Sequence, residues 1–399
     1  MQALCAALKN EAVQWDQEVT GRELISVLAL AESHRVLPMV YQSVHATPAA
    51  EDADSATLSH YRRSAMQMVM VQTRKTAEFL PLLDALREAG VQPLVVKGIT
   101  CRQLYPQPDY RLSSDEDVLI PPEKFETCHE ILTQFGLTTP NPETSDYEIP
   151  YRGEQSPLYL EIHRSLFPPE SQAYGDLNRF FADAPSRSEI IDGIPTLHPT
   201  DHMLYLLCHA FKHFIHSGFG IRQVCDMMLF ANRFGSRINW LQLLECCKQI
   251  RAEKFAAGLF AIGKEYLGFD PEKAKFPRQW QIIRVEETAL LEDVLRAGVY
   301  GSSDRSRLHS STITLNAVAA QKQGKRPAGI VKTIFPSAKA LKGRYPYLKD
   351  KPLLLPVAWT QRLVQYSRES GTADNRAGES IRIGTERLSL LKQYGVLDK

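Results

Sequence analysis

Apolar residues recur at helical spacing through most of the chain. From residue 3 to about 90 they repeat every three or four positions, as Leu24, Val27 and Leu28 do, which predicts a helical N-terminal region because such residues share one helix face. The same spacing returns after Pro199 and continues to the C-terminus, with a linker predicted at 371–378. The helices predicted there cover 203–214, 224–234, 240–250, 254–267, 283–297, 330–341, 356–367 and 382–394.

Between these helical regions, short apolar runs bounded by turn residues predict β-strands. The predicted strands are 92–96, 115–120, 146–151 and 157–164. A helix is predicted after each of the first two, at 100–105 and 121–136, and Gly153 between the last two predicts a hairpin. In the last strand, apolar residues alternate with Tyr159, Glu161 and His163, which predicts one apolar and one polar face.

Two aspartates lead into the second predicted strand. Asp115 and Asp117 are two positions apart, so their carboxylates lie side by side on one face of a strand. Their repulsion is relieved by a divalent cation, and oxygen ligands suit Mg²⁺ or Mn²⁺. Glu161, on the polar face of another strand, is predicted to complete this metal site. Gly98, after the first strand, is predicted to let the backbone approach a phosphate.

This combination of residues is typical of phosphoryl or nucleotidyl transfer. A triphosphate is densely negative and gathers more charge in the transition state, so a metal pair held by carboxylates stabilises it. Lys97 and Arg111 are predicted phosphate contacts, or cations that neutralise the carboxylates. His163 shares the face of Glu161 and is predicted either to contact a phosphate or to support the site through a hydrogen bond.

Four histidines fall on one stretch of predicted helix. His202, His209 and His216 recur every seven residues, and His213 lies one turn beyond His209. Such pairs can bind zinc, but the glutamate of a His-Glu-x-x-His motif is missing. Packing of the helix against the sheet is therefore the favoured interpretation, with Asp226 as a partner of a histidine or of Arg222.

Composition limits the class of protein. The 399 residues suggest two or three packed subdomains, and 47 basic against 46 acidic side chains give a net charge of +1, so nucleic acid is not indicated as a partner. The seven cysteines form no Cys-x-x-Cys pair, which favours a reducing compartment. No apolar run is long enough to span a bilayer, and a cytoplasmic protein is predicted. The basic stretches 322–326 and 339–351 are interpreted as solvated surface.

Several short motifs together resemble one protein family. They are Lys97-Gly98, Leu104-Tyr105-Pro106, Arg111, Asp115-x-Asp117, Leu160-Glu161-Ile162-His163, His209-x-x-x-His213 with Arg222 and Asp226, and the run 335–362. These motifs resemble the uncharacterised bacterial nucleotidyltransferase family, a branch of the polymerase-β-like nucleotidyltransferase superfamily. The resemblance covers most of the chain from about residue 30.

The resemblance implies an α+β fold with a small mixed β-sheet nucleotidyltransferase core wrapped by N- and C-terminal helical regions. The predicted divisions are 1–85, 86–198, 199–320 and 321–399. It also implies magnesium-dependent use of a nucleoside triphosphate such as ATP, with transfer of the nucleoside monophosphate to a hydroxyl of a small molecule, sugar or protein.

Two alternatives stay open at the level of sequence. Ile99 follows Gly98 where the superfamily usually has a small residue, and Glu116 separates the two aspartates where an apolar residue is usual. A non-catalytic nucleotide-binding or regulatory protein on the same fold is therefore one alternative. The other is a phosphotransferase that moves the γ-phosphate, since it uses the same metals. Glu116 itself predicts either an exposed sheet edge or a salt bridge to an arginine.

Overall fold

The computed structural model describes residues 1–140, 147–169, 171–299, 305–324, 338–341, 345–348, 351–361 and 373–398. Helices predominate on both sides of a small sheet. The helices are α1 (Gln2–Leu8), α2 (Gly21–Ser33), α3 (Leu37–Val44), α4 (Pro48–Asp52), α5 (Ser55–Glu88), α6 (Ile99–Arg102), α7 (Phe125–Gln134), α8 (Pro199–His216), α9 (Ile221–Phe234), α10 (Trp240–Gln249), α11 (Glu253–Tyr266), α12 (Arg278–Gln281), α13 (Thr288–Ala297), α14 (Arg305–Lys322), α15 (Ala338–Leu341) and α16 (Ala373–Gln393). In the described part of the chain, none of them combines the length and apolar character needed to cross a membrane.

A five-stranded mixed sheet lies at the centre of the fold, in the order β1-β2-β5-β4-β3. Its strands are β1 (Leu94–Val95), β2 (Glu116–Leu119), β3 (Leu137–Thr138), β4 (Glu148–Gly153) and β5 (Tyr159–His163). β2 and β5 run parallel, with Asp117 directly opposite Glu161, while β1 is antiparallel to β2 and β4 is antiparallel to β5 and β3. The predicted α+β class with a small mixed sheet is confirmed.

The two faces of this sheet meet different parts of the protein. Val95, Val118 and Ile162 point to a compact apolar cluster that also contains residues of α5 and α7. Leu94 and Leu119 point the other way, into a larger cluster to which α8 contributes many residues. Because side chains alternate along a strand, Asp117 and Glu161 lie on the second face, below α8.

The larger cluster joins distant parts of the chain. It includes Leu4 and Leu28 from the N-terminal helices, Phe214 from α8 and Leu391 from α16. Helix α5 also continues through residue 85, where a division is predicted from the sequence. The four-part division stays a prediction.

Several local predictions need correction. The predicted linker 371–378 is wrong for 373–378, which belong to α16, because Ala373, Arg376 and Ala377 in this stretch favour a helix. The helix predicted from 283 begins at Thr288. The segment 121–136 opens with a 3₁₀ turn, and α7 starts at Phe125. Of the other predicted tail segments, 330–337 and 362–367 lie outside the described residues.

Some elements lack a counterpart in the sequence prediction. A second, two-stranded sheet pairs β6 (Glu189–Ile191) with β7 (Ile194–Thr196). Its turn residues Asp192 and Gly193 both have positive φ, 51° and 83°, as a two-residue hairpin loop requires, and Asp-Gly is a recognised signal for such a turn. Helix α14 is also not predicted, since its apolar residues are interrupted by Ser, Thr and Asn.

Candidate active site

Strands β2 and β5 bring together three side chains of types that bind metal ions in proteins. Asp117 lies opposite Glu161, and His163 follows two positions later on the same face. His163 Nε2 is 3.3 Å from Asp117 Oδ1 and 3.9 Å from Glu161 Oε2. One potential ligand atom from each of the three residues falls within 4.8 Å of the others. These residues, which we call the carboxylate–histidine group, are predicted site residues that the sheet places together.

Lys97 lies against the same aspartates. Its Nζ is 2.7 Å from Asp117 Oδ2 and 4.0 Å from Asp115 Oδ1, and the side chain is only 6% exposed. In this arrangement the Lys97 ammonium is paired with a carboxylate, and a contact of Lys97 with a phosphate stays a prediction. Asp115 thus lies beside the group, with the ammonium between it and Asp117.

The local charges change the proton affinities of the carboxylates. Burial, followed by the negative charges of Asp117 and Asp115, raises the pKa of Glu161 to about 7. Burial acts in the same direction on Asp117, but the Lys97 ammonium and the hydrogen bond with His163 outweigh it, so the pKa of Asp117 lies below its usual range. The pKa values of these two neighbouring carboxyl groups are therefore shifted in opposite directions, a pattern typical of acid–base sites.

The Gly98 turn is organised around Glu116. The Glu116 carboxylate accepts hydrogen bonds from the Ile99 N–H at 2.7 Å and from Arg102 Nη1 at 2.8 Å. A Cβ on Gly98 would lie 1.9 Å from Glu116 Oε2, and Gly98 has φ +54°. The predicted salt bridge of Glu116 to an arginine is therefore found. A carboxylate of the protein also fills the space beside Gly98, and the approach of the Gly98 backbone to a phosphate stays a prediction.

Arg111 does not join the carboxylate–histidine group. Its guanidinium donates two hydrogen bonds to Asp226, at 3.1 Å and 2.6 Å, and Tyr105 Oη donates a third to the same carboxylate at 2.7 Å. Although burial opposes it, Arg111 holds the pKa of Asp226 below its usual value. The prediction that Arg111 contacts phosphate or neutralises the metal carboxylates is corrected, because the 1% exposed Arg111 side chain is already paired.

Helix α8 forms a wall over the site. His209 and His213 interact electrostatically with both Lys97 and Asp117. Burial, and then the ammonium groups of Lys97 and Lys212, lower the pKa of each imidazole well below its usual value. Both histidines are therefore neutral at pH 7, and His209 Nδ1 lies 3.4 Å from Gln223 Oε1.

Lys212 is a site residue that the sequence pattern did not reveal. Burial lowers its pKa, while the negative charges of Glu148, Glu161 and Asp117 act in the opposite direction. Its ammonium is thus close enough to the carboxylates to respond to their charge. The only signal in the sequence is its place between two histidines, because helical spacing does not tell which side of α8 meets the sheet.

Glu148 is a second residue missing from the sequence prediction. It opens β4 directly opposite His163, and its charge contributes to raising the pKa of Glu161. The predicted strand 146–151 contains Glu148, but alternation within one strand does not show that Glu148 pairs with His163 of β5.

The histidine stripe has separate roles along α8. His202 is fully buried, with Nδ1 3.2 Å from Thr196 Oγ1, which agrees with the packing interpretation. Among the described residues, the carboxylate–histidine group is the one set of three side chains with metal-ligand spacing, and the histidines of α8 form no such set.

Comparison with known proteins identifies a protein family. A family model described as "Uncharacterised nucleotidyltransferase" matches residues 22–268. No curated protein and no solved structure matches the chain. The matched range contains the whole sheet, Lys97 and α8, and it ends before α13, α14 and α16.

Proposed function

The chain belongs to the uncharacterised nucleotidyltransferase family, and from that premise we propose that it transfers a nucleoside monophosphate from a nucleoside triphosphate to an acceptor hydroxyl, using divalent cations. The observation that carries this proposal is the convergence of Asp117, Glu161 and His163 on one sheet face, with Asp115 two residues upstream. Asp117 and Glu161 belong to neighbouring strands and Asp115 directly precedes β2, and carboxylate oxygens are ligands that a triphosphate-bound Mg²⁺ or Mn²⁺ prefers.

The residues present fit a divalent cation. Asp115 Oδ1 is buried and accepts no hydrogen bond from the described residues, so its lone pairs are available to a cation. Asp117 and Glu161 would hold the ion together with Asp115. When bound, the metal supplies positive charge to the phosphate under attack and acidifies the acceptor hydroxyl.

The chain's own side chains have separate roles in this reaction. Lys97 and Lys212 would bind the triphosphate, since both ammonium groups border the carboxylates. Glu161, which lies opposite Asp117 on the paired strand, would accept the proton of the acceptor hydroxyl. The acceptor oxygen then attacks the α-phosphorus, and the bond to the bridging oxygen breaks as pyrophosphate leaves.

Label transfer tests this proposal. The full-length protein is incubated with each α-labelled nucleoside triphosphate, Mg²⁺ or Mn²⁺, and fractions of a cell extract as the source of small-molecule, sugar and protein acceptors. We expect label to enter an acceptor together with release of pyrophosphate. In an Asp115→Asn, Asp117→Asn double variant, transfer should fall by at least about 100-fold, since charge stabilisation of the transition state is lost.

Asp84→Asn is the matched control, because Asp84 is an aspartate with a 64% exposed side chain. It should transfer label as the unmodified protein does. Label that moves from γ-labelled instead of α-labelled triphosphate would replace the proposal with a phosphotransferase. Transfer that persists in the double variant would contradict the assigned site, and triphosphate binding without any product would favour a non-catalytic protein.

A further inference from the structure

His163 directs a ring nitrogen toward both carboxylates of the carboxylate–histidine group. It lies two positions after Glu161 on β5, and its Nε2 faces Asp117 Oδ1 at 3.3 Å and Glu161 Oε2 at 3.9 Å. The side chain is 5% exposed. The ring nitrogen is thus presented to the same small space as the two carboxylates.

The separations suit direct coordination. In an octahedral site with bonds of about 2.1 Å, neighbouring ligand atoms lie roughly 3 Å apart and opposite ones roughly 4 Å apart. The distances from His163 Nε2 to the two carboxylate oxygens fall in this range. An ion can therefore be held between one nitrogen and two oxygens after small side-chain movements.

We propose that His163 Nε2 is a direct metal ligand with Asp117 and Glu161, and that this mixed nitrogen and oxygen site binds Mn²⁺ more tightly than Mg²⁺. The inference rests on the proposed function and names the metal that the site selects. Imidazole suits first-row transition metals, whereas Mg²⁺ prefers oxygen ligands and gives up its water reluctantly.

Coordination of a metal ion by His163 requires that Nε2 carry no proton. The Nε2 lone pair must face the ion, so the proton that His163 shares with Asp117 moves to Nδ1 or to water. Among the described residues none hydrogen bonds to the buried Nδ1, so no neighbour on that side of the ring fixes the opposite tautomer. Asp117 keeps the Lys97 ammonium at 2.7 Å from its other oxygen, which leaves Oδ1 to the ion.

Metal binding is measured on the full chain with the metal ion alone as the probe. Calorimetric titration with MnCl₂ and MgCl₂ should give an affinity for Mn²⁺ at least about tenfold above that for Mg²⁺. Pulsed electron paramagnetic resonance of the Mn²⁺ complex should show coupling to an imidazole nitrogen. This spectrum needs no variant, so it tests the proposal even if a substitution disturbs folding.

Two variants and a control identify the histidine that supplies the coordinating nitrogen. His163→Gln should abolish the nitrogen coupling and lower Mn²⁺ affinity by at least about tenfold, a loss typical even of changes around the ligands, while Mg²⁺ affinity changes less than threefold. His209→Gln removes the imidazole of α8 near Asp117 and should keep the coupling. His60→Gln, at an exposed position, should match the unmodified protein in both titrations.

Two results would contradict the role of His163 as a metal ligand. If nitrogen coupling is absent, or if His163→Gln lowers the affinities for Mn²⁺ and Mg²⁺ equally, His163 only positions Asp117 through a hydrogen bond. In that case Mg²⁺-dependent label transfer can still proceed, so the proposed function stands while this inference fails. If neither ion binds the protein with or without a nucleoside triphosphate, both fail.

Discussion

Glu116 shows how a single residue between two catalytic candidates can serve the fold. The neighbouring aspartates point to the site, whereas Glu116 points to the opposite side of β2, where it meets Arg102 and the backbone of the Gly98 turn. The side chains of Glu116 and Arg102 are 2% and 1% exposed. Glu116 is thus a buried anchor that fixes the turn next to Lys97.

Removing one partner of this buried pair should destabilise the protein strongly. We expect Glu116→Gln or Arg102→Gln to lower the free energy of unfolding by about 3 kcal/mol, because each leaves an unpaired buried charge. The double variant should cost less than the sum of the two single variants, since neither charge remains. Urea unfolding followed by circular dichroism measures all three.

The exposed pair Arg74 and Glu78, whose side chains are 60% and 31% exposed, is the matched control. Its single Gln variants should change stability by less than about 1 kcal/mol. Additive losses at Glu116 and Arg102 would mean that the two side chains act independently of each other.

At the scale of residues, the sequence could predict which neighbouring side chains share a strand face, but it could not predict contacts between residues far apart in the chain. Asp115 and Asp117, like Glu161 and His163, share a face because of local alternation, which a sequence displays directly. Their convergence also follows once β2 and β5 pair in parallel. The pairing of Arg111 with Asp226 joins positions 115 residues apart, so it depends on the complete fold and no local pattern announces it.

Helix α8 connects the sheet to the rest of the protein. Its N-terminal half is held by His202, which contacts Thr196 of β7, and its later turns present His209, Lys212 and His213 to the carboxylates. The sequence predicted this helix from its apolar spacing. The spacing could not predict which turn of the helix lies above Asp117, because that depends on how the helix packs on the sheet.

The position of Lys212 predicts a role in triphosphate binding. We expect Lys212→Met to weaken the binding of a nucleoside triphosphate with Mg²⁺ by about tenfold, the contribution of a charge-assisted hydrogen bond, while it retains the aliphatic part of the side chain. Calorimetry of the full-length protein measures this affinity. Steady-state transfer should show a raised KM for the triphosphate.

Lys248→Met is the control, because Lys248 lies on the surface with a 52% exposed side chain. It should leave triphosphate affinity unchanged. If Lys212→Met lowers thermal stability yet binds triphosphate as before, Lys212 only balances the carboxylate charge.

Across the whole molecule, the family and the α+β fold could be predicted from the motifs, and the match over 22–268 confirms the family. The contacts by which the C-terminal helices hold α8 could not be predicted. Arg387 of α16 donates a hydrogen bond to Phe214 O, Arg307 of α14 to Ser217 O at 2.6 Å, and Thr314 to Ile215 O at 2.7 Å. These contacts span 90 to 173 residues, and they satisfy carbonyls at the end of α8 that have no partner within the helix.

Residues outside the family match therefore hold the C-terminal end of α8, which lies above the site. Both arginines also bind Asp293 of α13, Arg387 at 2.8 Å and Arg307 at 2.6 Å. The arginine side chains are 2% and 6% exposed, so this network is shielded from water. Its loss should loosen α8 at the turn that carries Lys212 and His213.

Arg387→Ala tests this connection. We expect a loss of about 3 kcal/mol in the free energy of unfolding, since a buried carbonyl and part of a carboxylate lose their donor. Amide hydrogen exchange should accelerate in the last turns of α8 and in α16, while the strands of the sheet keep their protection. Arg382→Ala, on the same helix with a 55% exposed side chain, should leave exchange unchanged. Uniformly faster exchange across the sheet and helices would indicate general destabilisation and contradict a specific role for Arg387 at the end of α8.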